Sequence, residues 1–169
     1  MSYAANLFRR TDLVILLLAL ALTAVFVAVG GGGFPLDDSW IHQTYGRNLS
    51  QTGQWAFVPG QPSAASTSPL YTVLLAAGYV FGVPYALWAH GIGALALALT
   101  GMIGARMEET ASGDRRVGLA AGLALVTAWH LLWGAASGME TALFSLLTLA
   151  LIALAWRELT PSSPDSGAI

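Results

Sequence analysis

The chain predicts an all-α integral membrane fold of about four transmembrane helices, with one or two juxtamembrane helices in a long first outer loop. Three observations carry that expectation. Apolar residues make up 56% of the sequence and charged residues 9%, against about a quarter charged in an ordinary soluble domain. The charges are segregated: none falls between Asp12 and Asp37, Arg47 and Arg106, Arg116 and Glu140, or Glu140 and Arg157. Each gap holds all or most of the roughly 20 apolar residues that a spanning helix needs. Finally, the arginines sort to one side of the layout that these gaps define.

The first span is expected at about 13–30, after Arg9 and Arg10 and before a run of glycines. It exceeds the h-region of about 7–15 residues that marks a cleaved signal peptide, so it reads as a retained helix. Further spans are expected at about 85–105, 117–133 and 141–156. The apolar stretch 69–81 reaches only about 20 Å as a helix, short of a hydrocarbon core of about 30 Å.

The arginines decide whether 69–81 crosses. If it does not, Arg9, Arg10, Arg106, Arg115, Arg116 and Arg157 share one side and only Arg47 lies on the other. If it does, the cluster 106–116 moves away from the N-terminus. The positive-inside rule favours the first arrangement. The stretch is then a helix at the outer interface, with Ser68 as N-cap, Pro69 in the first helical position and Gly82 as C-terminal stop.

The expected organisation is a single membrane domain, 1–158, with both termini cytoplasmic, an outer loop at 31–84 and a disordered polar tail at 159–169. Trp129 and Trp133 suit an aromatic belt at the outer end of the third span. The sequence has no cysteine, which excludes disulfides and thiolate metal sites. A net charge of −2 gives nucleic-acid binding no support.

Within the outer loop, "LDDSWIHQTYGRNLSQTG" has a helical pattern, with Ile41, Tyr45 and Leu49 on one apolar stripe. Asp38 or Ser39 can cap its start and Gly53 can end it. It reads as a juxtamembrane amphipathic helix. The following "WAFVPGQPSAASTS" is too rich in Pro, Gly and Ser for regular structure and is expected to run extended.

Asp37 and Asp38 admit two readings. Acids at a helix N-terminus are ordinary, because the dipole favours them. Two carboxylates at the outer face also suit proton abstraction from an acceptor hydroxyl, or a metal. Glu140, alone between Arg116 and Arg157 and on the same expected side, favours the second reading. His42, His90 and His130 lean to that side too; a lone His among helices is more often a hydrogen-bond partner than a ligand. Arg47 is the single outer cation, equally suited to a phosphate or to pairing with Asp37 or Asp38.

The order "LDDSWIHQTYGRNLSQTGQWAFVPGQPSAASTSPLYTVLLA … SGMETALFSLLTLAL" resembles the N-terminal part of the GT-C membrane glycosyltransferases. That group includes bacterial arabinofuranosyl- and mannosyltransferase-like proteins and protein O-mannosyltransferases. The resemblance runs from about residue 13 to 156 and implies sugar transfer from a polyprenyl-phosphate donor at the outer face of a bacterial cytoplasmic membrane. Carried over, Asp37 matches the catalytic acid of the first outer loop, Asp38 its neighbour, and Glu140 the acid of the second loop. His42 and Arg47 become candidate substrate-binding residues. Asp37 and Glu140 become candidate ligands for a divalent cation, Mg or Mn.

The family's shared module carries about seven spans where four are expected here. The resemblance therefore implies an enzyme or a truncated or split N-terminal module of one, acting with other membrane subunits or as a homo-oligomer. The other reading is a non-catalytic structural subunit of a larger membrane complex. It rests on the small-residue faces of "GIGALALALTGMIGA" and "GLAAGLAL", which suit close helix packing. A transporter has little support, since no span is interrupted by charge or proline.

Overall fold

The computed structural model describes residues 9–159. They form α1 (Arg10–Val29), α2 (Asp37–Thr52), α3 (Pro69–Val80), α4 (Tyr85–Ser112), α5 (Arg115–Thr127), α6 (Trp129–Ala136) and α7 (Thr141–Leu159). Among the described residues there is no strand, only an isolated bridge between Val58 and Gln61. Helices α1, α4 and α7 are long and apolar enough to cross a membrane, and the bent pair α5–α6 makes a fourth if it counts as one span. The polar tail expected at 159–169 lies outside the described residues except for Leu159.

Helix α4 is the hub, packing against α1, α5, α6 and α7. Its inner face is built from small side chains, among them Ala89, Gly93, Ala94, Ala98, Gly101 and Ala105, which let neighbouring backbones come close. At the α4–α5 crossing the two glycines face each other. A Cβ on Gly122 would stand 2.8 Å from the Gly101 carbonyl oxygen, and one on Gly101 would stand 3.2 Å from that of Gly122. Ile15, Ala19, Leu97, Met102 and Val126 fill the core around this crossing.

Ion pairs fix one end of the bundle. Asp12 accepts from the backbone N–H of Arg9 at 2.9 Å and from the Arg106 guanidinium at 2.8 Å. Arg9 also reaches Glu109 at 2.8 Å. The start of α1 therefore lies beside the last third of α4. This is where the chain concentrates its arginines, while α2 and α3 stay at the opposite end. Helix α3 packs on α2 and on the start of α4, where the Trp88 indole donates to the Leu74 carbonyl at 2.7 Å.

Two expectations are corrected. The helix expected over 117–133 is two helices, bent by 54° at Ala128. Ala128 is extended, and its carbonyl accepts from Leu131 and Leu132, so it restarts the ladder as an N-cap. Thr127 back-bonds to the Leu123 and Ala124 carbonyls, a geometry that bends helices. Helix α4 also runs seven residues beyond its expected end, to Ser112, where Gly113 turns it off with an N–H bond to Glu109.

Gly53 and Gly82 stop α2 and α3 as expected, both with positive φ. At α3, Gly82 N–H bonds the Tyr79 carbonyl and Val83 N–H bonds that of Gly78, the paired bonds of a Schellman stop. Pro69 opens α3 and Ser68 is its N-cap residue, but the Ser68 side chain makes no capping bond. Neither Asp38 nor Ser39 caps α2, which begins at Asp37 after Leu36. The glycine run closes α1 in the same paired way, with Gly32 N–H on the Val27 carbonyl and Gly31 at φ +83°, a left-handed conformation that favours glycine.

A candidate site where the helical cap meets the bundle

Beyond the glycine run, Phe34 turns inward. It is 9% exposed and packs with Tyr71, Leu75 and Ala89 in a second, smaller core. That anchor sets the direction of the next residues. Asp37 and Asp38 both emerge exposed in the first turn of α2, with the Asp37 carboxylate accepting from the Asp38 N–H at 3.1 Å. Trp40 and Tyr85, each about two-fifths exposed, lie beside the anchor with ring centroids 5.7 Å apart.

The buried face of α2 is polar. Ser39, His42, Gln43, Tyr45 and Asn48 are buried, while Ile41 and Leu49 are only partly so. The stripe expected along Ile41, Tyr45 and Leu49 is thus replaced by one in which hydrogen bonds, as much as apolar contact, hold the helix. Ser39 donates to the Ser137 carbonyl at 2.8 Å. The His42 Nδ1 is 3.0 Å from the Ser66 hydroxyl, which hydrogen-bonds Thr72 at 2.7 Å. The Tyr45 hydroxyl bonds the Ser63 hydroxyl and accepts from Ala65 N–H. Asn48 donates to the carbonyls of Ala56 and Phe57, both at 2.9 Å.

These anchors recur every three residues. On a helix of 3.6 residues per turn, such steps wind backward by about 60° each. The irregular segment 54–66 therefore wraps around α2 rather than lying along one side. The segment is largely exposed, with only Ala56 and Ser66 buried, and its backbone gains defined partners at 56, 57 and 65.

Glu140 completes the arrangement from the other side. Its Oε2 lies 3.1 Å from His42 Nε2, and its side chain is 27% exposed against 2% for His42. Oε2 is enclosed and has no aligned hydrogen-bond donor, so the pairing is a close polar contact off the ring's N–H axis. Oε1 is left to carry the polar exposure. Tyr71 stacks edge-on to His42 and donates to the Gly138 carbonyl at 2.8 Å. Burial, and next the nearby Glu140 carboxylate, hold its phenol well above the ordinary range. Tyr79 donates to Gln43 at 2.9 Å; burial raises its phenol too, against the lowering effect of Arg47.

The structure brings some predicted site residues together and not others. His42 and Glu140 meet directly. Asp37 and Asp38 sit at the head of the same helix, immediately before Ser39 and its bond to Ser137. His42, expected to contact substrate, is enclosed with both ring nitrogens facing protein. Arg47 is exposed and forms no ion pair with Asp37 or Asp38 among the described residues. His90 is buried against Phe34, and His130 is exposed on α6. Among the described residues no group of three or more His, Asp or Glu side chains gathers as a metal site.

Sequence reasoning missed Ser66, Thr72, Ser39, Tyr71 and the 137–138 backbone. The signal was present in "SAASTS", where clustered hydroxyls beside a polar helix offer partners for buried groups. A scan against protein-family models, a search of curated proteins and a search of solved structures each found no match to this chain.

Proposed function

We propose that the chain is a membrane-embedded helical bundle whose capped end is the sugar-transfer site of a GT-C-type glycosyltransferase, or of the N-terminal module of one. The observation that carries this reading is the placement of the exposed Asp37–Asp38 pair. It heads a helix pinned to the Glu140 turn by Ser39 and His42. Asp37 then has the position and access of a general base. It takes the proton from an acceptor hydroxyl as that oxygen attacks the anomeric carbon, and the donor phosphate leaves with the bonding electrons. Glu140 positions the site through its exposed oxygen while His42 holds the other. Trp40 and Tyr85 offer ring faces on which a sugar can lie.

Transfer from a polyprenyl-phosphate sugar, assayed in membranes holding the chain with its native neighbours, tests the proposal. Asp37→Asn is expected to lower the rate by about 10²-fold or more, while its exposed position keeps stability within about 0.5 kcal/mol. Wild-type rates in both Asp37→Asn and Glu140→Gln would overturn the enzymatic reading.

One observation favours the second reading, a non-catalytic subunit of a larger membrane complex. Only 6% of the apolar window of α7 is buried, against 56% for α4. A face so bare, beside small-residue helix crossings, suits further helices. Stoichiometric co-purification with other membrane proteins, with no effect of Asp37→Asn on their activity, would support that reading over the first.

A further inference from the structure

We infer that the cleft between the C-terminal halves of α4 and α7 binds an anionic glycerophospholipid through its phosphate. The cleft has a volume of about 820 Å³, within the range of about 300–1,000 Å³ typical of ligand pockets. It lies at the arginine-rich end of the bundle, opposite Asp37 and Glu140.

Its lining is graded. Ile103 on α4 and Ala150 on α7 wall the inner part, and Arg106, Thr110 and Arg157 lie toward the helix ends. Ile103, Arg106 and Thr110 on α4, and Ala150, Ala153 and Arg157 on α7, are spaced three or four apart, so each helix presents one face to the cleft. Apolar walls leading to two guanidinium groups match the polarity of an amphiphile, with acyl carbons inside and phosphate at the end. Arginine suits the phosphate because its planar fork donates in pairs. Trp156 adds an amphipathic ring at the level where a headgroup would sit.

The charge balance agrees. Arg106 is neutralised by Asp12 at 2.8 Å and held in place by it, so the uncompensated charge of the cleft is that of Arg157. Arg157 makes no ion pair among the described residues. Basic pockets between helices at such an end are suited to anionic lipid headgroups. A free phosphate would leave the apolar walls uncovered. The site is independent of sugar transfer and requires only that α4 and α7 lie in a bilayer.

The full chain, reconstituted in phosphatidylcholine vesicles containing phosphatidylglycerol, tests this by counting the lipid retained on detergent release by mass spectrometry. Wild type is expected to retain phosphatidylglycerol with a roughly five- to tenfold preference. Arg157→Gln, at an exposed position, and Ala153→Phe, which fills the cleft with every charge intact, should each abolish most of it. Arg115→Gln, which removes a charge outside the cleft, should not. A preference unchanged in Arg157→Gln or in Ala153→Phe overturns the site. So does full displacement of the lipid by inorganic phosphate. Flotation with pure phosphatidylcholine vesicles separates the outcomes: a wild type that fails to float overturns the membrane reading itself, and this site with it.

Discussion

His42 Nε2 stands 3.1 Å from Glu140 Oε2, and this contact joins α2 to the turn that opens α7. On its other side the same imidazole meets Ser66, and through it Thr72. A single ring thus ties together the helical cap, the irregular segment and the bundle.

The two partners should respond differently to replacement. His42→Ala empties a buried ring site and takes one hydrogen-bond partner from Ser66, which keeps Thr72, a loss of about 2–4 kcal/mol. Glu140→Gln keeps the shape and a polar oxygen, and should cost about 1 kcal/mol or less. Thermal unfolding in detergent distinguishes them; a smaller loss for His42→Ala than for Glu140→Gln would show that the ring is not the anchor.

The α4–α5 crossing depends on the absence of a side chain at Gly122. A Cβ there would meet the Gly101 carbonyl oxygen, Ile15 and Ala105 within 2.9 Å. Gly122→Val should cost about 1–3 kcal/mol through overpacking. Gly91→Ala provides the contrast, since its Cβ meets nothing within 4 Å; helix propensity then favours alanine by roughly 0.5–1 kcal/mol. Equal thermal midpoints for the two variants would count against this crossing.

Tyr71 gives an alkaline signature. Its phenol is held above its ordinary value of 10.0, first by burial and then by Glu140. Above that pH the unfolded chain releases the proton and the folded chain keeps it. The unfolded state then binds fewer protons, so stability falls as pH rises. Tyr71→Phe should flatten this fall while costing about 1 kcal/mol at neutral pH for the lost bond to Gly138. Tyr79, raised as well, keeps the flattening partial. An unchanged alkaline slope in Tyr71→Phe would remove Tyr71 from the account.

Charge gaps and hydropathy made the long helices legible, because their length and apolarity are written residue by residue. Glycine stops were legible for the same local reason. The bend at Ala128 was not: no proline, glycine or charge marks it, and it follows from how α6 must turn to place Trp129 on Phe26, at 5.2 Å, and Ser137 on Ser39. The inner face of α2 was hidden for a different reason. Hydropathy ranks Ile41 and Leu49 above His42 and Asn48, yet polar groups bury readily once hydrogen-bonded. Those partners come from segment 54–66 and the Glu140 turn, which no local pattern reveals. Asp37, Asp38 and Glu140 stood out as isolated charges; the ring between α2 and Glu140 did not.

The central claim, that the α2–α3 cap faces one side of a membrane and the arginine-rich end the other, is tested most directly by single-cysteine labelling. The sequence has no cysteine, and Ala64 and Ala111 are both exposed. In intact cells an impermeant maleimide should label Ala64→Cys and leave Ala111→Cys unlabelled until the cells are opened. Labelling of both from the same side would contradict the account.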